Sequence, residues 1–142
     1  MKIGECLQFF DSKTVERGRN YYENGYVVEI EELASNDYNA IVMGSDIYVV
    51  NVVLTDDREI YTHKCTCPYD SGPICKHKVA VLLEIEDHLL SEKQFPTGNL
   101  RRIKSALEEY SKQELSQLII SLAKSNLSTR KDFLSLLGLR GQ

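Results

Sequence analysis

The thirteen residues "CTCPYDSGPICKH", Cys65 to His77, hold three cysteines and a histidine, and they constrain the fold more than any other stretch of the chain. The pattern is Cys65-x-Cys67, seven residues, then Cys75-x-His77. Three thiolates and an imidazole make a tetrahedral donor set suited to Zn²⁺, with Zn–S of about 2.3 Å and Zn–N of about 2.0 Å. Cys65 and Cys67 are two apart, so on a regular strand both side chains would point to one face. Pro68 has no N–H to offer a ladder and takes the chain out of it. Gly72 and Pro73 can turn the chain back, and Cys75 and His77 should open the next helix. A strand end and a helix start must therefore converge on one ion.

Other assignments of the same residues remain open from spacing alone. The cysteines could be buried side chains beside an incidental histidine. His63 precedes Cys65 by two residues, would share its face on a regular strand, and competes with His77 for the fourth position. Cys6 lies far from the cluster and suits a buried apolar role better. Disulfide pairing fits poorly, because three clustered thiols leave one over.

The rest of the chain bounds what such a cluster can serve. A length of 142 residues suits one compact domain, or one with a small appendage. A formal charge of −4 argues against a wholly basic nucleic-acid binder, so any phosphate contact needs a local basic patch. Glu5 and Asp11 interrupt the apolar N-terminus, which does not read as a signal peptide, and no run is long enough for a membrane span. A cytoplasmic location is expected, where thiols stay reduced and clustered cysteines usually mean metal.

Hydrophobic periodicity predicts an α+β fold. A first helix is expected from Thr14 to Asn24, capped by Asp11 or Ser12, with Gly18 marking a close backbone approach or a weak helix. Four period-two runs follow, "YVVEIEEL", "YNAIVMG", "IYVVNVVLT" and "EIYTHKC", separated by short polar breaks. They predict an antiparallel sheet of three or four strands, with the third run, apolar on both faces apart from Asn51, as a central strand. After the cluster, "KHKVAVLLEIEDHLL" returns to helical spacing. Leu82, Ile85 and Leu89 form its stripe, Val79, Leu83 and Leu90 widen it, and Glu84 and Asp87 are left for solvent.

A break at "SEKQFPTGN", with Pro96 and Gly98, divides the chain into a metal-binding domain, 1–95, and a helical appendage, 96–142. Two or three amphipathic helices are expected there. Ser111 and Glu114 form a capping box, and Gly138 forms a C-cap.

The stretch "CTCPYDSGPICKHKVAVLLEIE" resembles a SWIM zinc finger: Cys-x-Cys, a variable gap, then Cys-x-His followed by an apolar helix. The upstream "GRNYYENGYV" and the tyrosine-rich strands are similar to the segment preceding the finger in bacterial members, so the resemblance covers roughly Val15 to Leu90. It implies zinc ligation by Cys65, Cys67, Cys75 and His77, and a role in binding DNA or proteins. SWIM fingers occur in bacterial Swi/Snf-type helicases, Mutator-type transposases and some ubiquitin ligases. This sequence has no Walker-type phosphate loop, so a helicase motor would have to lie elsewhere.

Catalysis by this chain is not expected. A catalytic zinc keeps an open position, whereas four strong donors close the site. The His-x-Glu and Pro-Cys-x-x-Cys pair of zinc deaminases is missing, as is His-Glu-x-x-His. Glu84, Glu86 and Asp87 read as a solvated helix face, Glu31-Glu32 as a strand-end charge pair, and His88 as helix-end surface. No small-molecule substrate is implied.

Lys64, Lys76 and Lys78 flank the ligands and offset the −1 left by three thiolates on Zn²⁺. With Tyr69, which could stack on a base, they are the candidate contacts to nucleic acid, DNA above all. Arg101, Arg102 and Lys104 form a second basic group. The competing expectation is a protein-interaction module that docks a helicase motor domain through its leucine-rich C-terminal helices.

Overall fold

The four period-two runs form four strands: β1 (Val27–Ala34), β2 (Asp37–Met43), β3 (Ile47–Leu54) and β4 (Ile60–Cys65). They make one antiparallel sheet in the order β1-β2-β3-β4, with the β3 run central as its two-sided apolar character requires. This is a computed structural model, and it describes residues 1–69, 72, 74–92, 95 and 98–139. Pro73 of the cluster loop and Pro96 of the expected boundary lie outside the described residues.

Register sorts the two faces. Ile30, Ala40, Val50 and Cys65 are opposite one another across all four strands, and the next row on that face is Glu32, Tyr38, Val52 and His63. Ala40, Val50, Val52 and Tyr38 are buried, so this is the core face. The alternate row, Glu31, Asn39, Asn51 and Lys64, lies on the other face. Asn51 keeps its amide satisfied there, donating to the Asp37 carboxylate and to the Tyr38 carbonyl at 2.9 Å each.

Six helices complete the described chain: α1 (Ile3–Phe9), α2 (Ser12–Glu23), α3 (Lys76–Ser91), α4 (Asn99–Leu107), α5 (Lys112–Ser125) and α6 (Leu127–Leu136). None is long and apolar enough to cross a membrane. The architecture is α+β. Helix α1 is additional to the expected set. Its seven residues are too few to show a period, but Ile3 and Cys6, three apart, both bury, and the Glu5 carboxylate accepts the Lys2 amide N–H at 3.3 Å. Helix α2 starts where Asp11 caps it, accepting from the Thr14 amide at 3.2 Å.

Helix α3 departs from a simple amphipathic reading. Val79, Ala80, Val81, Leu82, Leu83 and Ile85 are all buried, because the sheet lies on one side and α2 on another. Glu84 is half-buried and burial pushes its carboxyl up, so it is not part of a solvated face. Leu90, expected in the apolar stripe, is 80% exposed, since the sheet and α2 cover the helix only along its earlier turns. His88 is not helix-end surface either: its ring stacks on Phe95 at 3.7 Å between centroids.

Gly18 resolves as a close approach. A Cβ there would fall on the Val79 side chain and within 2.9 Å of the Lys76 carbonyl oxygen. Glu31 also differs from the strand-end charge pair expected of it. It is 2% exposed, and its two oxygens accept the Leu100 and Arg101 amides at 3.0 and 3.3 Å. It satisfies donors that every helix N-terminus leaves open, at the start of α4. Gly98 permits this, because a Cβ would overlap the Glu31 carboxylate.

The chain divides into two compact units, Met1–Arg101 and Arg102–Gln142. Within the second, Ser111 and Glu114 form the expected reciprocal cap, at 3.1 and 3.0 Å. Gly138, at φ +72°, ends α6, with the Leu139 amide returning to the Leu134 carbonyl at 2.8 Å.

Two outcomes follow from this packing. Gly18→Ala forces α2 away from α3 and should cost about 1–3 kcal/mol in urea unfolding, the usual range for overpacking; exposed Arg19→Ala is the control. Glu31→Ala should speed amide exchange at Leu100 and Arg101 while leaving the sheet amides protected.

Candidate metal centre

The cluster is assembled by the end of the sheet and the start of α3. Cys65 closes β4 opposite Val50. The ladder extends one residue further, because the Thr66 amide donates to the Val49 carbonyl at 3.1 Å and the Thr66 hydroxyl accepts from the Val49 amide at 3.0 Å. This fixes the backbone on both sides of Cys65 and leads into Cys67, whose amide donates to the Cys65 sulfur at 3.5 Å. Cys75 is the N-cap of α3, in extended conformation, and its carbonyl accepts the Val79 amide at 3.1 Å. His77 is the second residue of that helix.

The four donor atoms of Cys65, Cys67, Cys75 and His77 lie within 4.8 Å of one another. A tetrahedral ion with metal–sulfur bonds of about 2.3 Å sets its ligands about 3.8 Å apart, so the group is close to ligating geometry. The Cys65 sulfur and His77 Nδ1 are already at 3.8 Å. The set fits one zinc ion, and all four positions are filled by protein. Cys6 is buried elsewhere, with its thiol pushed up by burial, and belongs to the core as expected.

Nδ1 is the histidine nitrogen that faces the sulfurs. Nε2 is buried at the back of the ring without a hydrogen-bond partner among the described residues. Tyr48 lies over the imidazole at 4.3 Å between centroids, and Tyr21 meets it edge-on at 5.6 Å. Gly44 closes the box. A Cβ at that position would come within 2.9 Å of the Tyr21 hydroxyl and 3.4 Å of Nε2. These aromatic walls hold the ring in the orientation that ligation through Nδ1 needs.

Electrostatics divides the thiols. Cys75 is held well below the usual thiol range, first by a hydrogen bond from Cys65, with further donation from His77 and the Lys78 amide. Cys65 is pushed up for the reciprocal reason, as the group that keeps the proton, and burial adds to it. Metal uptake must expel that proton, since only thiolates ligate. His63 is not among the four donors. Its imidazolium is disfavoured first by burial, then by Lys78, with Cys75 acting in the opposite sense.

The candidate contact residues separate in space. Lys76 and Tyr69 line one small cleft with Thr14, Arg17, Cys75 and His77. Lys78 is half-buried near His63, and Lys64 is exposed on the sheet face opposite the cluster. Arg17 and Thr14 were not singled out by sequence. Their proximity follows from the α2–α3 packing that Gly18 permits, and no local pattern announces it.

A closed Cys3His set between a strand end and a helix N-terminus defines a zinc finger whose metal is structural. Residues 48–86, from β3 through most of α3, match the family model of the SWIM zinc finger. Over 79 residues the chain is 34% identical to a Methanocaldococcus jannaschii protein named "Uncharacterized protein MJ1493", a stretch covering 56% of this chain and 32% of that protein. The chain thus spans about a third of the length of this curated relative. No solved structure matches the chain significantly.

Zinc uptake near neutral pH should release protons from the ligating thiols, so affinity falls on acidification; calorimetry in buffers of different ionisation enthalpy reads the proton count. Chelation, or Cys75→Ser, should raise amide exchange at Cys67, Lys78 and Val79, beside the cluster, while β2, β3 and the buried turns of α3 stay protected. Structural zinc contributes about 10–16 kcal/mol in isolated finger peptides. Here the apolar sheet core persists without it, and global unfolding on chelation would contradict this division.

Proposed function

We propose that this zinc-binding module is a non-catalytic accessory that binds nucleic acid, DNA in preference, and acts in the cytoplasm as part of or beside a Swi/Snf-type helicase. The observation that carries the reading is the cleft beside the cluster, about 90 Å³, lined by Thr14, Arg17, Tyr69, Cys75, Lys76 and His77. It presents two cations and an exposed aromatic ring with no carboxylate in its lining. Arg17 has no ion-pair partner among the described residues. The Lys76 ammonium sits 5.0 Å from the centre of the Tyr21 ring, an attraction that positions it without neutralising it. A guanidinium and an ammonium suit phosphate oxygens, and the ring of Tyr69 suits an unstacked base. The chain as a whole is acidic, which confines such binding to this patch and to the basic second unit. Residues 102–142 hold seven Lys and Arg against four Asp and Glu.

A second reading, docking of a helicase motor domain, has its own support. No described residue of α4, α5 or α6 is buried, and Ile103, Ile120, Leu122 and Leu127 are each more than half exposed. Apolar side chains in that number favour a protein partner.

The two readings separate in one binding series. Fluorescence anisotropy with a single-stranded and a duplex DNA should show affinity falling steeply with salt. Arg17→Glu and Lys76→Glu should each weaken binding at least tenfold and reduce the salt slope by about one for each phosphate no longer neutralised. Lys64→Glu, on the far sheet face, tests whether the DNA footprint extends there. DNA binding undetectable at low salt, together with capture of a helicase motor fragment that Leu122→Asp abolishes, would replace the first reading with the second.

A further inference from the structure

Tyr21 is the hub of a group of rings beside the zinc cluster. Its ring meets Tyr26 edge-on at 4.8 Å between centroids and His77 at 5.6 Å, and the Lys76 ammonium lies 5.0 Å from its centre. Lys76 in turn lines the cleft with Arg17 and Tyr69. A continuous strip therefore runs from Tyr69 through Arg17 and Lys76 to Tyr21 and Tyr26. Its two ends are exposed rings, Tyr69 at 42% and Tyr26 at 44%.

Tyr26 is fixed by its backbone. Its amide donates to the Tyr21 carbonyl at 3.0 Å, its carbonyl accepts the Met43 amide at 2.9 Å, and Gly25, at φ +73°, makes the turn out of α2. An exposed ring held in this way offers its face at small entropic cost. The charges around the strip have a direction too. Lys13 and Arg17 are exposed, one turn apart on α2. Glu16 and Glu23, also exposed, lie about 100–120° round the same helix from Arg17. A phosphate backbone that follows Arg17 and Lys76 meets positive charge, whereas a second strand on the acidic side would meet repulsion. A tyrosine stacks only on a base whose face is open, and the stack of a duplex hides that face. Helix α3, which carries Lys76, is buried from Val79 to Leu83 and cannot enter a groove.

We propose that this strip binds single-stranded DNA, with bases stacked on Tyr69 and Tyr26 and the phosphates between them held by Arg17 and Lys76. Resting on the nucleic-acid reading above, it narrows the ligand from DNA in general to one unpaired strand. The two exposed tyrosines are stacking platforms, tolerant of sequence because every base has a face to offer once unstacked. Tyr21 is a positioning residue: its ring steadies the Lys76 ammonium on one side and backs Tyr26 on the other.

Anisotropy titrations of the zinc-loaded full chain against a labelled oligo(dT) and a duplex of equal length, at one low salt concentration, test this. The single strand should bind about tenfold tighter or more, and Tyr26→Leu and Tyr69→Leu should each weaken it about fivefold or more. Tyr26→Phe and Tyr69→Phe keep the ring and should retain the affinity. Zinc content equal to that of the unaltered chain separates lost stacking from a lost finger in each variant. The chain contains no Trp, so tyrosine emission reads stacking in the unaltered protein: oligo(dT) should quench it, and the duplex should not. Duplex bound as tightly as single strand, absent quenching, or unchanged single-strand affinity in both Leu variants would overturn this assignment and leave the nucleic-acid reading standing. Failure of both DNAs to bind at low salt would overturn that reading and this assignment together.

Discussion

Burial of α3 between the sheet and α2 is the constraint on which the rest depends. Its first three turns hold six buried apolar residues from Val79 to Ile85, which cannot leave the core without exposing all of them. That register sets where Cys75 and His77 arrive. The same sheet row that packs against the helix, Ile30–Ala40–Val50–Cys65, ends in the first thiolate. The metal site is thus the continuation of the hydrophobic core to its edge, where apolar packing gives way to coordination bonds. Gly18 belongs to this arrangement as much as any ligand, because a Cβ there would meet the Val79 side chain and the Lys76 carbonyl of α3.

A site of this kind must manage charge in a half-buried place. Three thiolates and one divalent ion carry −1, and the thiols of the metal-free cluster already share charge through Cys65 and Cys75. Lys76 and Lys78 leave the helix about 200° apart, on opposite sides of the cluster. One ammonium rests over the Tyr21 ring and opens onto the Arg17 cleft. The other acts on His63. Two lysines that look equivalent in sequence therefore have different neighbours, one the Arg17 cleft and one His63.

What was legible in the sequence was local and periodic. The four strands, the start of α2 at Asp11, the Ser111–Glu114 cap and the ligand set follow from patterns spanning a few residues. What was not legible depended on neighbours distant in sequence. Glu31 looks like any strand-end acid, yet it caps a helix that starts at Asn99. His88 needed Phe95, and Arg17 needed Lys76 across a helix pair. Leu90 has the correct helical phase but extends past the neighbours that would bury it. His63 was open as a rival ligand because i, i+2 spacing places it on the face of Cys65. Spacing cannot tell that its nitrogen lies outside the four-donor group.

A closed centre ties the ion to the surfaces it holds in place. With every coordination position filled by protein, the ion's contribution is to hold a strand end against a helix start. The Arg17–Tyr69–Lys76 cleft exists only while that junction holds: Tyr69 lies on the loop between the ligand pairs, Lys76 on the helix that Cys75 caps, and Arg17 on the helix packed beneath. Metal occupancy and assembly of the cleft are therefore linked thermodynamically. A ligand that favours the assembled cleft must tighten zinc binding by the same factor by which zinc tightens its own. The coupling needs no catalytic zinc and no conformational switch beyond ordering of the finger.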